Sequence, residues 1–237
     1  MEAVWNSMNF LAESLAAAAA LIMALDPEVV HAVRTSLFTT AIAIILAAGI
    51  GIPVGTLLGL GRFAGRRATL TVLNTLMALP TVVVGLVVYG LLSRQGPLGA
   101  WGLLFTPAAM IIGQTILAAP IVANYTVAAV AGADPRIMTT ALTLGAGRLR
   151  GAGQLLMEVR FGVMAAIVAG FGRVIAEVGV AMMLGGNIRN YTRTMTTAIA
   201  LETSKGEFAL GFALGIVLLA VALGVNVLLG LFRRKAQ

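Results

Sequence analysis

Five long apolar stretches, separated by short polar ones, dominate the sequence. A helix rises about 1.5 Å per residue, so roughly 20 apolar residues cover the hydrocarbon core of a bilayer. The pattern therefore predicts an all-α membrane protein with five transmembrane helices. Their approximate bounds are residues 27–60, 69–92, 106–130, 161–184 and 208–231.

The N-terminal stretch, residues 1–26, differs from these five. Its apolar part, residues 10–25, would form a helix of only about 24 Å, shorter than a span requires. We expect a helix lying in the membrane interface, with a sixth span as the alternative. No Lys or Arg precedes Arg34, so the basic start of a cleaved signal peptide is missing.

The largest polar stretch between apolar segments is residues 133–160. Asp134 can cap a helix, Pro135 suits its first position, and Gly145 offers the left-handed exit that ends one. We expect a short helix from Pro135 to Leu144, followed by a second helix that returns to the bilayer. A compact helix between two spans is suited to docking another protein.

Composition and charge support this topology. The chain is 59% hydrophobic and 11% charged, with a mean hydropathy of +1.00, which excludes a water-soluble domain of its size. Its net charge of +7 could suggest nucleic acid, but the basic residues cluster at the ends of apolar stretches instead. This is typical of cytosolic loops, so we expect the N-terminus outside, the basic tail at residues 233–237 inside, and no nucleic-acid partner.

Polar side chains inside the spans are candidates for a transport path. Gln114 and Asn124 interrupt the third span, where an amide has to find a partner. Helix-to-helix hydrogen bonding is the simpler interpretation, and a place on the path is the other. Pro80 and Pro120 are expected to break the second and third spans.

Arg173 lies about 18 Å into the fourth span, near the membrane midplane, where a charge needs a partner or water. Glu177 follows one helical turn later and could supply that partner. A structural ion pair and a charge lining an anion path both remain open.

The stretch after Gly186 is too polar for a span. It carries several threonines between basic residues, a combination that suits an oxyanion, and we expect a re-entrant or surface helix outside the membrane. A solvated loop is the alternative. The candidate anion contacts here are Arg189, Arg193, Thr196 and Thr197.

The sequence contains no recognisable catalytic motif. It contains no GxxxxGK[ST], HExxH or GxSxG motif, no cysteine and no carboxylate cluster with metal-ligand spacing. We therefore expect no enzyme activity, no metal and no cofactor. Five spans are few for a complete pore, so a second copy of the chain is the expected completion.

The polar stretch resembles the coupling loop of binding-protein-dependent ABC importer permeases. Thr139, Thr140 and Ala141 align with the Glu-Ala-Ala opening of that motif, and Gly145 aligns with its glycine. Thr139 replaces the family's glutamate, and Glu158 stands where the family has proline. The start of the loop, Asp134-Pro135-Arg136, and the residues around its glycine, Thr143-Leu144-Gly145-Ala146, keep the family pattern. The residues expected to contact the ATPase subunits are Asp134, Pro135, Arg136, Thr139, Thr140, Ala141, Leu144 and Gly145.

A second resemblance is carried by GFGRVIAEVGVAMMLGGNI, residues 170–188, which is similar to the oxyanion branch of these permeases. Its continuation, residues 189–208, resembles the tungstate-type permeases in particular. The resemblance implies a homodimeric channel in the inner membrane of a prokaryote. It also implies two ATP-binding subunits at the cytosolic face and an extracytoplasmic binding protein that delivers tungstate.

Other interpretations stay open at this point. The cargo could be molybdate, sulfate or another oxyanion. Arg173 with Glu177, together with proline-broken spans, could instead serve an ATP-independent secondary transporter. A membrane-embedded enzyme would require a nucleophile, base or metal cluster that the residues do not offer.

Overall fold

The computed structural model describes the backbone of residues 2–61 and 63–234 and the side chains of residues 12–61, 63–228, 230 and 231. Within those residues the chain forms eleven α-helices and one 3-10 turn. Arg62 of the predicted cytosolic loop and residues 235–237 of the basic tail lie outside this part. The helices are α1 (Glu2–Met23), α2 (Pro27–Leu60), α3 (Arg66–Met77), α4 (Thr81–Leu92), α5 (Pro107–Ala131), α6 (Pro135–Thr143), α7 (Arg148–Glu158), α8 (Arg160–Ile175), α9 (Gly179–Gly185), α10 (Met195–Lys205) and α11 (Phe208–Arg234).

Three helices are by themselves long and apolar enough to cross a membrane: Pro27–Leu60, Pro107–Ala131 and, within α11, Phe208–Leu228. Two bent helix pairs, α3 with α4 and α7 with α8, raise the number to five if each pair is one span. α2 has 34 residues, which at 1.5 Å per residue is about 51 Å and exceeds the bilayer core. The all-helical membrane fold predicted from the sequence is confirmed.

The second predicted span, residues 69–92, is not one continuous helix. α3 ends at Met77 and α4 begins at Thr81. Pro80 lies in the break, because proline has no N–H to donate and disfavours helical geometry at the residue before it. Pro120 was also expected to interrupt its span, and that was wrong, since it lies inside the unbroken α5.

The fourth predicted span, residues 161–184, is also discontinuous. α8 ends at Ile175, and α9 begins only at Gly179. Glu177 lies in the break, where its Oε1 accepts the backbone N–H of Val180 at 3.2 Å. A carboxylate can satisfy an unpaired N–H in the first turn of a helix, which favours a new helix start here. Before α8, the chain bends by 74° between α7 and α8.

The chain divides into two compact units, which are described separately. The first comprises residues 1–41, 81–114 and 175–225. In it α4 packs against α9, with Gly85 next to Met183, and the N–H of Phe105 donates to the carbonyl of Leu184 at 2.8 Å. Four of the seven residues of α9 are buried: Val180, Ala181, Leu184 and Gly185.

The second unit comprises residues 42–80, 115–174 and 226–237. A close contact joins α2 and α5 along a ridge of Gly51, Gly55 and Gly59. A Cβ on Gly55 would lie 2.5 Å from the carbonyl oxygen of Ala123, and one on Gly59 would lie 2.6 Å from Val130 Cγ1. Only glycine permits this approach, so α2 and α5 pack in close backbone contact along the ridge.

The N-terminal helix α1 ends before a turn in which Leu25 has a φ of 50°. Asp26 then caps α2, its Oδ1 accepting the N–H of Glu28 at 2.8 Å and that of Val29 at 3.4 Å. That α1 lies in the membrane interface stays a prediction.

Candidate coupling surface and translocation residues

The predicted docking helix is present as α6. Asp134 is its N-cap, with Oδ1 accepting the N–H of Arg136 at 2.8 Å, and Pro135 occupies the first turn. At the other end Gly145 has a φ of 85°, a left-handed conformation that glycine adopts without strain. The N–H of Gly145 donates to the Leu142 carbonyl, and that of Ala146 to the Ala141 carbonyl. Cap, proline and exit all lie where the sequence placed them.

The helices α6 and α7 pack against each other as a hairpin. Gly151 of α7 lies against α6, where a Cβ would be 2.9 Å from Met138 Sδ and 3.7 Å from the Ala141 Cβ. Leu155 is buried on the same helix. Of the predicted ATPase contacts, Ala141 is half-buried in this packing, and the other seven are exposed. The hairpin therefore presents them on its outer surface.

The outer surface of this hairpin is apolar as well as basic. Leu144 is 83% exposed and Leu149 is 89% exposed, beside the exposed Arg136, Arg148 and Arg150. Apolar side chains this exposed outside a span are typical of a protein-binding surface. We call residues 134–150 the coupling surface. A partner groove with apolar pockets and acidic edges would complement it.

The predicted anion-contacting segment folds around α10. Thr192, Thr194, Thr196 and Thr197 are buried, whereas Thr203 is exposed. Thr194 and Thr197 form a capping box, in which each side chain is within hydrogen-bonding distance of the other's backbone N–H. The Thr196 hydroxyl donates to the backbone carbonyl of Glu177 at 2.7 Å. These hydroxyls thus hold the segment's own fold, and their role as anion contacts stays a prediction.

The arginines of this segment are paired with carboxylates. Arg193, with 11% of its side chain exposed, donates from Nη1 to Glu28 Oε1 and lies 3.7 Å from Glu202. Arg189 donates to the other oxygen of Glu28 at 2.8 Å, and Lys205 reaches Glu202 at 3.0 Å. We call these five residues the charge cluster. It ties the start of α2 to α10.

Glu28 and Glu202 were not predicted as site residues. Glu28 lies in the first turn of α2, where an acidic residue is favourable for the helix itself, so its position gave no reason to expect a further role. The sequence offered one indication of these ion pairs. Two acidic residues had no assigned role, and the stretches expected outside the membrane carry several arginines that need partners. Spacing along the chain could not have paired residues more than 160 positions apart.

Arg173 and Glu177 do not lie on one continuous helix. Arg173 is exposed in the last turn of α8, while Glu177 is buried in the break that follows. The helix that carries Arg173 ends at Ile175, two residues before Glu177. Their proposed place on an anion path stays a prediction.

The two amides of the third predicted span differ. Asn124 donates from Nδ2 to Asn74 Oδ1 at 2.6 Å, which is the hydrogen bond between helices expected for it. Gln114 is 2% exposed, and its Oε1 accepts no hydrogen bond within the described part of the chain. A buried carbonyl oxygen without a hydrogen bond is costly, so the side-chain oxygen of Gln114 is less well satisfied than the amide of Asn124.

Comparisons with known proteins agree with this geometry. Residues 51–237 match the family described as binding-protein-dependent transport system inner membrane component. The chain belongs to this family. It is an inner-membrane permease subunit of an ABC importer, and its family works with a substrate-binding protein and an ATPase.

Two relatives in this family cover most of the chain. A probable anion ABC transporter permease of Haloferax volcanii is 42% identical over 205 residues, 84% of this chain and 88% of that protein. The tungstate uptake system permease protein TupB of Peptoclostridium acidaminophilum is 39% identical over 219 residues, 92% of this chain and 96% of that protein. Both are named as permeases rather than as enzymes.

A solved structure supports the fold. An amino acid ABC transporter, crystallised with histidines, matches with a TM-score of 0.65 and 16% identity. The match covers 90% of this chain and 96% of that one. The fold of an ABC importer permease is thereby shown.

Proposed function

We propose that this permease imports tungstate that an extracytoplasmic binding protein delivers. The observation that carries the proposal is the likeness to a tungstate uptake permease over nine-tenths of both chains. The stretch 170–188 supports it, because its residues resemble the oxyanion branch. Molybdate is the second candidate, since it has the same charge and tetrahedral shape.

The working unit of the proposal is a homodimer with two ATP-binding subunits. Fewer than six spans per chain enclose little space, so a pathway would form between two copies. The coupling surface would seat in a groove on each ATPase subunit. Its rigid hairpin, with α6 packed on α7, is suited to carrying the closure of those subunits into the adjoining spans.

The anion path would use Arg173, Glu177, Gln114, Asn124, Arg189, Arg193, Thr196 and Thr197, as the sequence predicts. Support differs among them. Arg173 and Arg189 are exposed in the single chain and could face a cavity. Arg193, Thr196 and Thr197 are buried, so they would reach the anion only after the charge cluster opens.

The cargo can be tested with the purified complex in proteoliposomes. We expect the binding protein loaded with tungstate to stimulate ATP hydrolysis more strongly than the same protein loaded with molybdate or sulfate. Equal stimulation by all three anions would remove the tungstate assignment. Uptake that continues without any ATPase subunit, and that an uncoupler abolishes, would instead support a secondary transporter.

The orientation, with the N-terminus outside and the C-terminus inside, is also part of the proposal. The sequence contains no cysteine, so a single introduced cysteine is an unambiguous label. In intact cells a membrane-impermeant maleimide should label Tyr191→Cys and spare Leu149→Cys. Labelling of Leu149→Cys under those conditions would place the coupling surface outside and contradict the importer mechanism.

A further inference from the structure

The first unit carries an apolar groove that none of the functions above uses. Its volume is about 670 Å³, within the range of small-molecule sites. It is lined by Ile22 in the last turn of α1, by Leu25 just after that helix, by one face of α2, and by Val217 of α11. The α2 residues are Val29, Val30, Val33, Arg34, Leu37 and Phe38.

One charge lies in this apolar lining. Val30, Arg34 and Phe38 follow one another at intervals of four residues and therefore stack on the same face of α2. Arg34 is exposed, with an apolar side chain one turn before it and another one turn after it. Within the described residues, no ion pair or hydrogen bond engages its guanidinium.

The position of Arg34 along α2 matches the edge of a membrane. It lies seven residues after Pro27, about 10 Å from the helix start, and the uncharged stretch from Leu37 to Leu60 follows it. Arginine near the end of a span extends its head group toward the interface, where lipid phosphates lie. On α2 the lining of the groove lies on both sides of Arg34, with Val29, Val30 and Val33 toward the helix start and Leu37 and Phe38 toward the uncharged stretch.

We propose that this groove binds one anionic phospholipid, with an acyl chain along the groove and the phosphate on Arg34. An acyl chain matches the apolar lining, and a phosphate matches the single guanidinium. A second copy of this chain on the same face would have to bring a carboxylate or leave Arg34 buried without a partner. All lipid chains are equally apolar, so the preference for this lipid arises from the head-group contact.

The test compares phosphatidylglycerol with phosphatidylcholine of the same acyl chains, using native mass spectrometry of the purified complex. Both head groups carry a phosphate, but the choline ammonium of phosphatidylcholine neutralises it, so the net attraction of an anionic lipid to the guanidinium predicts roughly tenfold higher retention of phosphatidylglycerol. Arg34→Gln should abolish that preference, and Arg34→Lys should keep part of it because an ammonium also binds phosphate. Arg94→Gln, which changes an exposed arginine outside the groove, should leave the preference intact.

The groove itself is tested by Val33→Trp, which fills it. This variant should lower retention of both lipids, whereas Arg34→Gln lowers only that of phosphatidylglycerol. Equal retention of the two lipids by the wild type would overturn the proposal. So would an unchanged preference in Arg34→Gln, or full lipid retention by Val33→Trp. Loss of bound lipid on adding inorganic phosphate alone would show that Arg34 is a free-anion site.

Discussion

The coupling surface at residues 134–150 and the segment around α10 at residues 186–206 are both polar connections between apolar helices, yet they fold in opposite ways. In the coupling surface, apolar side chains such as Leu144 and Leu149 are exposed. Around α10, polar side chains such as Thr197 and Glu202 are buried. The first arrangement leaves binding surface for another protein, whereas the second satisfies its polar groups internally.

The difference shows that polarity in the sequence does not by itself predict exposure. A hydroxyl can be buried when a backbone N–H or carbonyl is within reach, as for Thr196 on the Glu177 carbonyl. An arginine can be buried when carboxylates surround it, as for Arg193. The two regions should therefore respond to substitution in different ways, and four experiments compare them.

The largest effect is expected at the centre of the charge cluster. Arg193→Met would leave Glu28 and Glu202 without their shared cation, at a cost of about 3 kcal/mol in the free energy of unfolding. Thermal unfolding of the purified permease in detergent measures it. Arg189→Met is the matched control, because that side chain is 66% exposed and should cost less than about 1 kcal/mol.

The same pair of variants separates structure from transport. If Arg193→Met unfolds like the wild type but no longer transports, Arg193 contacts the cargo rather than holding the fold. The conclusion that the polar side chains around α10 serve the fold would then be wrong for this residue.

The two helix caps provide the next comparison. Thr194→Ala removes a buried capping box, and Asp134→Ala removes an exposed cap. We expect costs of about 2 and about 1 kcal/mol respectively, measured as unfolding free energies. Equal costs would mean that burial adds nothing to the cap of α10.

Substitutions on the coupling surface should affect assembly rather than stability. Leu144→Ser and Leu149→Ser should each weaken the binding of the ATPase subunits about tenfold, since each removes a contact of about 1.4 kcal/mol. Co-purification and titration of the ATPase subunit measure this. Leu155→Ser, at a buried position on α7, should destabilise the permease itself. Unchanged ATPase binding in both surface variants would exclude this surface as the docking site.

The smallest effects are expected at two glycines with open space around them. Gly145 has a positive φ, so Gly145→Ala should cost about 1 kcal/mol. Gly153 lies inside α7, so Gly153→Ala should stabilise the permease by up to about 1 kcal/mol. Stabilisation by both changes would show that a side chain does not strain the helix exit at Gly145.

Much of the fold could be predicted because its determinants are local. Apolar length, the caps at Asp26 and Asp134 and the glycine exit at Gly145 act within a few residues, and the structure has each of them. The break at Pro80 is local too, whereas Pro120 stays helical. Proline removes one hydrogen bond, and whether a helix continues depends on the packing around it, which periodicity does not report.

The candidate site was less predictable, because its contacts join distant parts of the chain. The pairing of Glu28 with Arg189 and Arg193 connects residues far apart in sequence. The break at Glu177 was missed because apolar residues lie on both sides of it, so the glutamate was interpreted as a charge on a continuous helix. Hydropathy does not show that a carboxylate accepts a backbone N–H.

The glycine ridge between α2 and α5 has a mechanical consequence. Because a Cβ at Gly55 would lie 2.5 Å from the Ala123 carbonyl oxygen, the two helices are in close backbone contact, and we expect them to move together as one body. If they move as one body, movement within the second unit during transport would be concentrated at a bend between helices. The 74° bend at Val159, between α7 and α8, is one such place. The bend between α7 and α8, rather than the α2–α5 pair, would then transmit the movement of the ATPase subunits to the spans.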